Sequence, residues 1–171
     1  MNTTLLQVQT LATHTGTSVF SFASSFLVVL VLFGALFFFA RYVGRGQFVA
    51  LLVSFYTGYT LYSVFPFASL LPSTPASTAL ITDLALFGAF VAATYIILRR
   101  VVVSDFLSIG TIGLFILSLL AAGFLLALAY HVFPVRSVYS FTPAIDALFA
   151  PKGFFFWWFI APLLGLFVFA K

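Results

Sequence analysis

Cysteine is absent from all 171 residues, charged residues make up only 6%, and the acidic ones number three. Without cysteine there is no disulfide, no thiolate metal site and no cysteine nucleophile. His14 and His131 stand alone, so metal-ligand spacing is missing as well. No Ser/His/Asp constellation, carboxylate pair, phosphate-binding glycine loop or zinc motif occurs. Gly44 to Gly46 forms a Gly-x-Gly with no third glycine and no strand before it, which reads as a turn. The chain is therefore read as non-enzymatic, with no catalytic residue, no cofactor site and no metal site. The net charge is +4, but its seven Lys and Arg lie scattered between apolar runs and form no basic face, which excludes a nucleic-acid partner.

What is abundant is hydrocarbon. Hydrophobic residues make up 64% of the chain and 25 residues are Phe, against roughly 45–50% apolar residues in an ordinary soluble domain. A water-soluble fold of this size cannot hide that much apolar surface, so the second solvent is lipid. Five apolar runs are long enough, or nearly so, to cross a hydrocarbon layer of about 30 Å. They cover residues 19–40, 48–71, 78–98, 109–132 and 153–170. Met1 to Ser18 holds no Lys or Arg, unlike the start of a secretory signal, so the first run is expected to be a retained helix. The fold class expected is an all-α membrane protein, a single domain of five transmembrane helices. The alternative is four spans plus a re-entrant or interfacial C-terminal segment, because Pro162 sits near the middle of the last and shortest run.

The connections carry helix breakers. Arg41 to Gly46 turns the chain after the first run, Pro72-Ser-Thr-Pro75 ends the second, and Arg99 and Arg100 end the third. Ser104-Asp105 is placed as a cap for the fourth run, which stops at Phe133-Pro134. Thr142-Pro143 is placed as N-cap and first residue of a short surface helix over 142–149, with Phe141, Ile145, Leu148 and Phe149 on one side. Leu5, Val8 and Ala12 have the spacing of a second surface helix. Cations are retained on the cytoplasmic side of short loops. Arg41, Arg45, Arg99, Arg100 and Lys171 fall on one side, Arg136 and Lys152 on the other. This places the N-terminus outside and the C-terminus in the cytoplasm of a prokaryotic plasma membrane. Arg41, Arg45, Arg99, Arg100, Lys152, Trp157 and Trp158 are the expected interface anchors.

Asp83 is the most informative polar residue, because an ionised carboxylate within a span costs up to about 2.5–3.5 kcal/mol and should face protein or water. Counting outward from the turn between the second and third runs sets it about level with Pro66, one helical turn from Tyr62 and Ser63. Tyr56, Tyr59, Thr60 and Ser63 fall at i, i+3, i+4 and i+7, a polar stripe on one helical face. With Asp83 that stripe forms a candidate polar path, and the bland reading is inter-helix hydrogen bonding. His131 falls too far along the fourth run for direct contact with Asp83. Ala85-Ala89-Ala93 and Gly123-Ala127 would let helices approach closely, read as packing within the chain, with a dimer face as the other option.

Arg45-Gly46 before a helix of the form Phe-x-x-x-Leu-x-Ser, a third helix ending in basic residues, a Ser-Asp turn, a fourth helix opening with Gly110 and Gly113, and a Pro-bearing amphipathic stretch follow in that order. This order resembles the colicin V production (CvpA-like) family of small bacterial inner-membrane proteins, over roughly Ser24 to Phe149. Family members commonly carry an Arg-Gly in the fourth helix, where this chain reads Leu-Phe-Ile-Leu, and the fifth run has no expected counterpart. The resemblance implies a plasma-membrane protein linked to toxin production or export and envelope integrity, with no catalytic residues to carry over.

Two functional expectations follow: a non-enzymatic envelope or secretion-associated protein acting through partner helices or a homo-oligomer, or a small transporter or channel subunit using the stripe and Asp83. In plain buffer the purified chain is expected to aggregate, and in detergent to run as a monodisperse species on size exclusion. Monodisperse behaviour without detergent or lipid would overturn the membrane reading.

Overall fold

The computed structural model describes residues 26–67, 71–101 and 109–169. The start of the first run, the proposed helix around Leu5 to Ala12, His14, the Ser104-Asp105 cap, Ala170 and Lys171 lie outside the described residues. Among the described residues six α-helices follow one another: α1 Leu27–Val43, α2 Arg45–Ser63, α3 Ala76–Val101, α4 Thr111–His131, α5 Pro143–Phe149 and α6 Lys152–Phe169. A 3-10 turn, Pro134–Ser137, joins α4 to α5. No strand occurs among the described residues.

Several boundaries differ from the sequence expectation. The 41–47 connection shrinks to one residue: α1 continues to Val43 and α2 starts at Arg45, with Gly44 between them at φ 108°. That backbone region strongly favours glycine. Arg41 stays helical in the last turn of α1, where a cation faces the negative end of the helix dipole. The second helix ends at Ser63, well before the expected Leu71. Phe65 N–H bonds the Tyr62 carbonyl at 3.3 Å, a tightened last turn. Pro66 then supplies no N–H and disfavours helical backbone at Phe65. The third helix starts earlier than expected, at Ala76, with Ala79 N–H on the Pro75 carbonyl at 3.1 Å.

α4 is the central element, buried along much of its length by Leu114, Leu117, Ser118, Ala121, Ala122, Gly123, Phe124, Leu126, Ala127 and Leu128. α6 and α1 pack directly against it, while α2 presses most closely on α3. α2 buries small residues at four-residue spacing, Gly46, Ala50, Ser54 and Gly58, and the last two meet α3. A Cβ added at Gly58 would lie 2.6 Å from Val91 Cγ2 and 3.2 Å from the Val91 backbone nitrogen. Thr94 Oγ1 reaches the Ser54 carbonyl at 3.5 Å. The alanines expected to serve this purpose on the third helix, Ala85, Ala89 and Ala93, are instead exposed, because α3 turns Phe87 and Val91 inward. Gly123 and Ala127 are buried within the chain; Gly123 receives the Trp158 ring, which a Cβ there would meet at 2.4 Å.

α6 runs as one helix through Pro162, which is buried. Proline removes the N–H that would bond the Trp158 carbonyl and crowds the preceding turn. On the next carbonyl, that of Phe159, the Tyr56 hydroxyl donates at 2.7 Å.

α3, α4 and α6 are each long and apolar enough to cross a membrane, and α1 is a shorter apolar helix. Their outer faces are covered by side chains that water would penalise: Phe38, Ile81, Ile97, Ile112 and Phe167 are all more than half exposed. The described residues are thus all-helical, with three helices whose length and composition suit a membrane span.

Replacing Gly58 with Leu forces α2 off the Val91 backbone, and overpacking of this kind costs about 1–3 kcal/mol. Gly88→Leu, at a glycine with open space around it, is the control. Thermal unfolding in detergent is expected to show a lower midpoint for Gly58→Leu alone; equal midpoints would remove α2–α3 close packing as a stabilising contact.

Candidate functional site

The hydroxyls of the α2 stripe do not point into a common channel. Thr60 bonds the Tyr56 carbonyl at 3.0 Å and Ser63 the Thr60 carbonyl at 2.8 Å, both at exposed positions. Ser54 and Thr57 likewise return to carbonyls of their own helix. Hydroxyls in hydrocarbon take this route because the preceding turn holds the nearest acceptor. Tyr56 points into the bundle, its ring stacked on Phe124 at 4.5 Å and 10° and edge-on to Phe159 at 5.1 Å. Tyr59 meets the same Phe159 ring at 5.8 Å. Tyr56 and Tyr59 thus converge on α6, while Thr60 and Ser63 face outward.

Asp83 lies elsewhere, on the partly buried side of α3. Its carboxylate interacts with the Tyr62 hydroxyl of α2, the neighbour that hairpin counting pointed to. It also borders a cavity of about 320 Å³ lined by Leu71, Pro72, Ser73, Ala79, Asp83 and Pro134. Three segments build that cavity: the connection before α3, the first turns of α3, and the turn after α4. The Tyr62 ring is held edge-on by Phe133 at 5.3 Å, and Phe133 in turn meets Phe87 of α3 at 5.2 Å. His131 takes no part. Its Nε2 lies 2.9 Å from the Phe149 carbonyl, and since a carbonyl only accepts, that nitrogen carries the proton.

The same end of the bundle holds α5 in a clamp that no sequence motif announced. Tyr130 donates to Asp146 Oδ1 at 2.7 Å, His131 to the Phe149 carbonyl, and Trp158 Nε1 to the Leu148 carbonyl at 3.1 Å. Phe149 lies between Trp158 at 4.8 Å and Tyr130 at 6.0 Å, and the Arg136 guanidinium stands 5.7 Å from the Tyr130 ring centroid. Ile145 and Phe149 are buried as expected, but Leu148 is exposed. Thr142 occupies the N-cap position of α5, yet its hydroxyl makes no capping bond and is buried without a partner.

The expected anchors divide. Arg41, Arg45, Arg99, Arg100 and Lys152 are exposed, and Trp157 is 65% exposed. Trp158 is turned inward onto Gly123 and Phe149, a packing residue. Among the described residues no group of three His, Cys, Asp or Glu side chains is placed to hold a metal ion.

These features define a helical bundle with helices apolar and long enough to span a membrane and two polar sites near one end, the Asp83 cavity and the α5 clamp. No family model matches the chain, and no curated protein and no solved structure matches it either.

Tyr130→Phe removes the bond to Asp146 while keeping the ring, a loss of about 0.5–1.5 kcal/mol. Amide exchange within 143–149 is expected to speed up by a few-fold to about tenfold, and Asp146→Ala should match it. Exchange unchanged in both variants would mean that apolar packing alone holds α5.

Proposed function

We propose that this chain is a non-enzymatic, multi-pass component of a prokaryotic plasma membrane that acts by packing against partner membrane helices. α1, α2, α3, α4 and α6 form its five spans, with the N-terminus outside and the C-terminus cytoplasmic. The observation that carries this reading is the fate of the α2 hydroxyls: they are taken up by backbone carbonyls, and Tyr56 is sealed by Phe124 and Phe159. Such an interior suits a packing scaffold better than a conduit. The long outer face of α3, with Ile81, Ala85, Ala89, Ala93 and Ile97 exposed, supplies surface for lipid or a partner helix. On the resemblance to the colicin V production family, its expected setting is toxin production or export and envelope integrity.

The second reading, a transporter or channel subunit, is favoured by one observation, the open cavity beside Asp83 and Tyr62. Vesicles containing the purified chain separate the two. Proton and small-solute flux is expected to equal that of empty vesicles. Flux above background that Asp83→Asn abolishes would replace the scaffold with the transporter.

The absence of cysteine makes the topology directly testable. A single cysteine at Ser73 is expected to react with an impermeant maleimide on intact cells, and one at Arg100 only after permeabilisation. The reverse pattern inverts the orientation, and equal labelling of both sites from outside breaks the five-span arrangement.

A further inference from the structure

The Asp83 cavity has a composition that selects its occupant. Its walls combine apolar surface from Leu71, Pro72, Ala79 and Pro134 with a nearly equal polar share to which Asp83 and Ser73 contribute. An ionised carboxylate accepts at about four lone-pair positions. Here the Tyr62 hydroxyl is the neighbouring side-chain donor, and proline walls offer no N–H. Among the described residues no Lys or Arg pairs with Asp83. A partly buried charge of this kind calls for a counter-ion.

A calcium ion takes six to eight oxygen ligands, often from several carboxylates, and this cavity is lined by one carboxylate. A primary ammonium fits well: it is a compact point charge with three N–H donors. An apolar body on the same molecule would lie against the leucine and proline walls. A cavity of about 320 Å³ lies at the small end of ligand pockets, so that body is small.

We propose that the Asp83 cavity binds an organic monocation, a primary ammonium group carried on a small apolar body, with the Asp83 carboxylate as counter-ion and the Tyr62 hydroxyl beside it. The site stands whether the bundle is a scaffold or a transporter, since binding requires no translocation. Two sources supply the primary ammonium, a free amine from solution and the ethanolamine headgroup of a membrane lipid, in which the ammonium ends a two-carbon arm on an anionic phosphate.

Calorimetric titration of the full chain with phenethylamine, in a non-ionic detergent free of aminolipid, tests the site. Saturable binding is expected for the natural chain and at least a tenfold loss for Asp83→Asn. Ala79→Phe keeps the carboxylate and fills the cavity, so it should also lose binding at an unchanged melting temperature, and phenethyl alcohol should not bind. Repeating the titration in phosphatidylglycerol nanodiscs with and without phosphatidylethanolamine identifies the source. Weaker binding in the presence of the aminolipid assigns the site to the headgroup, and equal binding assigns it to a free amine. Absence of saturable binding, or equal binding by natural chain, Asp83→Asn and Ala79→Phe, would overturn the proposal.

Discussion

A hydroxyl or carbonyl inside hydrocarbon has no water to turn to, so every such group must find its partner in the protein. The contact that best expresses this constraint is the bond from Tyr56 to the Phe159 carbonyl. Pro162 disrupts the hydrogen-bond ladder of α6 at this level, and a side chain from α2 reaches across to the affected turn. The same residue stacks on Phe124 of α4. One tyrosine therefore links three helices through a polar atom at its tip and an aromatic face along its body.

Around that link the bundle is built on two close approaches. On one side Gly58 lets α2 lie against the Val91 backbone of α3, and on the other Gly123 accepts the Trp158 ring of α6. Between them α4 presents a surface dominated by Leu, Ala and Phe. With no hydrophobic drive between helices in lipid, contacts of this kind carry much of the association, since short approach distances maximise dispersion. The polar features gather where the helices end, at the Tyr62–Asp83 contact and in the ties on α5.

The broad architecture was legible because apolar length and breaker residues are local signals. The runs that became α3, α4 and α6 could be read directly, and Thr142-Pro143 marked the start of α5. The neighbourhood of Asp83 and Tyr62 was anticipated by counting levels across a short turn, although the connection between Ser63 and Ala76 is longer than that count assumed. Other features depended on helix rotation, which the spacing of small residues does not determine. Ala85, Ala89 and Ala93 have the same periodicity as Gly46, Ala50, Ser54 and Gly58, yet the former face outward and the latter inward. Asp146 gave no signal, because an isolated acid in a short amphipathic helix looks like solvated surface until Tyr130 is placed against it. Trp157 and Trp158 are adjacent and chemically identical, so only the roughly 100° between successive helical positions separates an exposed ring from one packed on Gly123.

The lone glycine joining α1 to α2 has a mechanical consequence. Consecutive Cα atoms are about 3.8 Å apart, so a connection made of Gly44 alone leaves these two rods almost no slack where they meet. Neither can slide along its own axis without carrying the other. Arg41 and Arg45 are tethered to the same joint, so the depth of one guanidinium constrains that of its neighbour. The corner behaves as a shared pin, transmitting axial displacement of α1 to the small-residue face that α2 holds against α3.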